Sequence, residues 1–214
     1  RVIEHALFSA GIPYRVYGGL RFFERQEIKH ALAYLRLLAN PDDDSAFLRV
    51  VNFPARGIGA RSVEALQDAA RANNCSLWQA ATHLTGKSSQ AVGGFIRLIE
   101  TLREGTKGLP LPEIIEHVLH ASGLLDHYKS EKDGADRISN LEELINAATN
   151  FLQEEAIDVP LAEGAPGAAD AAVDPLAAFL AHAALESGET QAQEGVDALQ
   201  LMTVHAAKGL EFQV

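Results

Sequence analysis

Leu199-Gln200-Leu201-Met202-Thr203-Val204-His205-Ala206-Ala207-Lys208-Gly209-Leu210-Glu211-Phe212 lies close to the end of a 214-residue chain, and its reading decides the fold. It opens as an apolar run short enough for a buried strand and then switches to polar and small residues. In open α/β sheets, ligands bind just beyond the carboxyl ends of the strands. Thr203, His205, Lys208 and Glu211 therefore stand where chemistry is usually found. Gly209 lets a backbone approach a ligand closely. The plainer reading of a strand followed by Lys-Gly is a core strand running into a solvated turn.

The match is longer than that plainer reading needs. The order Leu-Met-Thr-x-His-x-Ala-Lys-Gly-Leu-Glu-Phe over residues 201–212 resembles motif V of the UvrD/Rep/PcrA helicases of superfamily one. In that family the motif lies in the second motor domain, between the nucleotide cleft and the single-stranded DNA track. The resemblance implies that Glu211 reaches the nucleotide and that Thr203 and His205 face the DNA backbone. Lys208 would serve either a phosphate or a neighbouring carboxylate.

The other end of the chain carries a second strand candidate. Val2, Ile3, Ala6, Leu7 and Ala10 recur at helical spacing until Gly11 and Pro13 stop the pattern. Tyr14-Arg15-Val16-Tyr17 then alternates as a short strand ending at Gly18-Gly19. Pro13, Tyr14, Gly18, Gly19, Phe22 and Phe23 match the family's motif IVa, although a turn needing glycine explains the glycines equally well, so they are read as shape. A start on a helix with no preceding strand suggests a fragment of a longer protein.

Between the two strand candidates, the informative stretch is Phe53-Pro54-Ala55-Arg56-Gly57-Ile58-Gly59-Ala60-Arg61, a glycine-rich turn between two helices. Glycines permit the hairpin and leave backbone N–H groups exposed, Ile58 anchors it, and the following helix directs its positive end outward. Such a turn suits a phosphate. It resembles the helix-hairpin-helix element that binds duplex DNA without reading sequence, with Arg56 and Arg61 placed for backbone contacts alongside Gly57, Ile58 and Gly59.

A formal charge of −11 looks wrong for a DNA binder, because affinity for phosphates comes largely from Lys and Arg. The placement of the charges resolves the conflict. No Lys or Arg occurs between Arg137 and Lys208, where 12 acidic residues fall, so the rest of the chain is close to neutral and can present a local basic surface. Hydrophobic residues make up 47%, enough for a real core. The lone Cys75 excludes an internal disulfide and fits a reducing compartment. No apolar run is long enough to span a bilayer, and a cytoplasmic location is expected.

The remaining segments read as helices. Ile28, Ala31, Leu32, Leu35 and Leu38 predict one buried face over residues 25–39, and Asp42-Asp43-Asp44 is read as the cap of the next helix rather than a metal site. Helical spacing runs from Leu66 to Leu125, with Trp78 taken as core. It resumes from Asn140 to Gln153 and from Asp174 or Pro175 to Leu185. The small, acidic stretch near 155–173 is expected to be a mobile loop. Gly86-Lys87-Ser88 lacks the earlier glycine and the preceding strand of a P-loop. His117, His120 and His127 lack partners for a zinc set, so no metal is expected.

The expected fold class is mainly α: a helical insertion with a helix-hairpin-helix-like element, plus a partial α/β remnant built from the two chain ends. The resemblance covers essentially the whole chain. It implies part of motor domain 2A at 1–40 and 197–214, with the helical 2B insertion at 41–196. It further implies an ATP-dependent 3′ to 5′ DNA helicase as the parent, using ATP and Mg2+ and holding duplex and single-stranded DNA. With no P-loop among these residues, the chain alone is expected not to hydrolyse ATP. A regulatory or protein-binding helical module, with a purely structural glycine turn, is the alternative.

Overall fold

The computed structural model describes residues 12, 14–17, 22–158, 174–187 and 199–202. Two short strands, β1 (Tyr14–Tyr17) and β2 (Leu199–Met202), pair in parallel with Tyr14 opposite Leu199 and Tyr17 opposite Met202. A parallel pair requires a crossover, and here the intervening chain is almost entirely helical. The helices are α1 (Gln26–Ala39), α2 (Asp44–Val50), α3 (Ala60–Asn73), α4 (Leu77–Ala80), α5 (Gly86–Gly105), α6 (Leu111–Ala121), α7 (Leu124–Lys129), α8 (Gly134–Asp158) and α9 (Pro175–Glu186). The protein is mainly α.

The chain divides into two compact units, one of residues 1–25 with 181–214 and one of residues 26–180. In the first, the Phe23 ring meets the His182 ring edge to face at 6.2 Å. In the second, α1 is the central helix and packs against α2, α5, α6 and α8. The expected single apolar stripe on this helix is too narrow: Ala33, Tyr34 and Leu37 are buried as well as Ile28, Leu32 and Leu35. A helix apolar on more than one face belongs inside a body rather than on its surface. Residues 26–39 therefore group with the helical unit.

Phe47 of α2 and Phe95 of α5 meet edge to face at 5.2 Å beneath α1, and Ile115, Leu119, Leu141 and Leu144 extend the core. Burying one such side chain is worth roughly 1.5–3 kcal/mol. Exposed pairs such as Arg71–Asp68 and Lys107–Glu104 contribute at most about 1 kcal/mol each. Packing on α1 thus decides the arrangement. Trp78 is half-buried rather than core, and α8 continues as helix to Asp158, past the expected start of a loop at 155. The rest of that stretch, 159–173, lies outside the described residues. Among the described residues no helix is long and apolar enough to cross a membrane.

Candidate nucleic-acid interface

The hairpin after α2 starts from Asn52, whose side-chain oxygen turns the chain back on itself. Asn52 Oδ1 accepts the backbone N–H of Arg56 at 2.8 Å and that of Ile58 at 3.1 Å. Gly57 has φ +73°, the left-handed region that favours glycine. Ile58 is 1% exposed and pins the tip to the core, so its side chain is an anchor and not a DNA contact as expected.

Gly59 is the N-cap of α3, with φ −80° and ψ 173° and no side chain to close the helix start. A Cβ added at Gly57 or Gly59 would meet nothing within 4 Å. At Gly59 neither the backbone angle nor the space around it demands glycine. The N–H groups of Gly57, Gly59, Ala60 and Arg61 have no acceptor among the described residues. This is the usual state of a helix start without a capping side chain, with partial positive charge facing outward. Arg61 is exposed on the first turn of α3.

On the same first turn, Ser62 Oγ lies 3.0 Å from Ser88 Oγ of α5. That contact brings the first turns of α3 and α5 together, and α5 also starts without a side-chain cap, at Thr85. Exposed Lys87 sits on that second turn. The Gly86-Lys87-Ser88 stretch, set aside as a P-loop, is thus a neighbour of the hairpin that sequence spacing did not reveal.

Arg56 corrects the sequence reading. Its guanidinium points inward: Nη1 donates to the carbonyls of Pro54 at 2.8 Å and Val50 at 3.3 Å, and Nη2 to that of Ser122 at 2.8 Å. It lies 5.7 Å from the Tyr34 ring centre and 5.6 Å from that of Phe95. Three carbonyls and two ring faces hold the half-buried fork against the protein, a structural role that the sequence reading of a phosphate contact did not include. Tyr34 in turn donates its hydroxyl to the Phe53 carbonyl at 2.5 Å, and burial, partly offset by Arg56, pushes its pKa up to about 12.

Behind the hairpin, Phe53 packs on three rings. His30 lies at 3.8 Å, His127 at 4.6 Å and Tyr128 at 5.9 Å between ring centres. His30 Nδ1 and the Tyr128 hydroxyl are 2.8 Å apart. Burial, then the charges of Arg49 and His127, lowers the His30 pKa to about 4, so the ring is neutral at pH 7. Burial likewise raises the Tyr128 pKa. Glu27, Arg137 and Glu131 close the network, with Arg137 3.2 Å from each carboxylate. His127 Nε2 approaches Glu131 at 3.2 Å, but the contact is too poorly directed to count as a hydrogen bond.

The acidic triplet does more than cap one helix. Asp43 accepts the Ala46 N–H at 2.9 Å as the N-cap of α2. Asp44 instead accepts the Leu77 N–H of α4 at 2.8 Å, and Asp42 accepts the Ser76 hydroxyl and the Gln79 amide. Among the described residues no group of three or more His, Cys, Asp or Glu is arranged to hold a metal. Thr203, His205, Lys208 and Glu211 all lie outside the described residues, as do Gly18 and Gly19.

The described architecture is a mainly helical protein whose glycine hairpin opens a bare helix start beside basic side chains. Residues 1–214 match the family model of the UvrD-like helicase C-terminal domain, and the chain belongs to that family. It is similar to DNA helicase II of Escherichia coli (strain K12), at 47% identity over 220 residues, covering 99% of this chain and 29% of the relative. It is also similar to ATP-dependent DNA helicase PcrA of Bacillus subtilis (strain 168), at 38% identity, covering 100% of this chain and 29% of the relative. ATP-dependent DNA helicase Rep of Salmonella typhimurium (strain LT2) is 36% identical, over 99% of this chain and 31% of the relative. The chain therefore spans less than a third of the length of these curated relatives.

Proposed function

We propose that this chain is part of an ATP-dependent DNA helicase moving 3′ to 5′, in which its helical unit holds duplex DNA by the sugar-phosphate backbone. The chain ends would belong to the second motor domain, and residues 26–180 would form the 2B insertion. The observation that carries the duplex contact is the start of α3: unclaimed N–H groups from Gly57 to Arg61, open space over both glycines, and exposed Arg61. Backbone N–H groups at a helix start receive phosphate oxygens without reading bases. Lys87, on the adjoining helix start, extends the same basic face.

Motif V would link nucleotide and single-stranded DNA through Glu211 on one side and Thr203 and His205 on the other, with Lys208 available to a phosphate. ATP with Mg2+ would supply the free energy for movement, and its hydrolysis would need a P-loop contributed by the longer protein. The helicase names of the relatives support this reading, and a cytoplasmic location is part of it.

The test is binding of a short blunt duplex by the full-length protein across a salt series. Phosphate contact predicts a linear fall of log K with log salt, and Arg61→Ala should make the slope shallower by about 0.9. Binding that ignores both salt and Arg61 would replace this reading with that of a protein-interaction module.

A further inference from the structure

Most residues that face a ligand are visible in a sequence because they are charged or glycine. The residue that sorts the hairpin's N–H groups is neither. Asn52 Oδ1 takes two alternate donors, the N–H of Arg56 and of Ile58. Within the turn, the N–H groups of Gly57 and Gly59 are left without an acceptor among the described residues, as are those of Ala60 and Arg61 on the first turn of α3. One side-chain oxygen thus claims the Arg56 and Ile58 amides and leaves those of Gly57, Gly59, Ala60 and Arg61 unclaimed. Arg56 completes the arrangement from the other side. It ties Val50 and Pro54, on the approach to the tip, to Ser122, which precedes α7.

Resting on the duplex reading above, we propose that Asn52 and Arg56 are positioning residues for the phosphate contact: they hold the Gly57–Arg61 amides in place and touch no DNA themselves. An amide carbonyl suits this position because it accepts two N–H bonds without adding negative charge beside a phosphate. A guanidinium suits the other because its planar fork spreads its donors in fixed directions from two terminal nitrogens, whereas the three donors of a lysine ammonium radiate from one atom on a flexible stem.

The two roles separate in the salt series. A direct phosphate contact contributes to the slope, and a positioning residue changes affinity at every salt while leaving the slope alone. In the full-length protein, Asn52→Ala and Arg56→Lys are each expected to weaken blunt-duplex binding by about five- to twentyfold with the wild-type slope retained. Arg56→Lys keeps the charge, so a direct contact would instead keep most of the affinity. Exchange of the Arg56 and Ile58 amides should quicken in Asn52→Ala and stay slow in Asn52→Asp, which retains the accepting oxygen.

Wild-type affinity in either Asn52→Ala or Arg56→Lys would overturn the proposal for that residue, as would unchanged exchange in Asn52→Ala. A shallower slope in Arg56→Gln would overturn it for Arg56. Failure of the duplex reading itself looks different: the wild type would then show no salt-steep binding, and Arg61→Ala would change nothing. That result would sink the inference together with its premise.

Discussion

Two helix starts in the same unit are treated in opposite ways. At α2, Asp43 closes the first turn, and its neighbours Asp42 and Asp44 reach across to the start of α4, where Ser76 also caps. At α3, a glycine stands at the cap position and the first amides face open space. The carboxylates satisfy donors and repel anions from the first site. The glycine leaves donors free and admits anions at the second. On the proposed reading, stability and binding fall on separate turns, less than twenty residues apart in sequence.

The largest expected effect concerns what lies behind the glycine turn. His30 is 6% exposed and neutral in the fold, with a pKa of about 4 against an ordinary 6.5. Between those values the unfolded chain binds a proton that the folded one does not. Stability should therefore be complete above pH 6.5 and fall as the pH drops toward 4, by on the order of 3 kcal/mol from this group. Denaturant melts at stepped pH, with His30→Phe as the flattened control, check it. A loss no smaller in the variant would assign the acid sensitivity elsewhere.

Making the second turn resemble the first is the next test. Gly59→Asp should cap α3 and raise its stability by a few tenths of a kcal/mol, while weakening duplex binding by about tenfold or more through repulsion. Paired thermal melts and anisotropy titrations of the full-length protein measure both. Removing the cap at the first turn, by Asp43→Ala, should cost about 1 kcal/mol of stability and leave duplex affinity unchanged. Smallest is Arg61→Ala, expected to move stability by less than about 0.5 kcal/mol, so that its slope change in the salt series reflects binding alone.

Much of this contrast was legible before any coordinates. Alternation placed a strand at Tyr14–Tyr17, the apolar run placed its partner at Leu199–Met202, and glycine chemistry marked Gly57 and Gly59. These features depend on neighbours within a few residues. The acidic triplet was legible as a cap for one helix only, because Leu77 and Ser76 lie more than thirty residues on. Arg56 was read as a phosphate contact because it borders a phosphate-like turn, and nothing local shows the Ser122 carbonyl that claims it. Asn52 carried no signal at all, being an ordinary polar residue at a helix end.

By itself, then, the amino-acid order determined the helical periods, the two strands, the glycine turn and the family to which the chain belongs. Tertiary structure alone decided that α1 is enclosed, that Arg56 faces inward and that two aspartates serve a distant helix. The division has a physical cause. Periodicity and turn geometry are set by backbone sterics over a few residues, whereas a long charged side chain takes whichever acceptor the packed fold brings within reach.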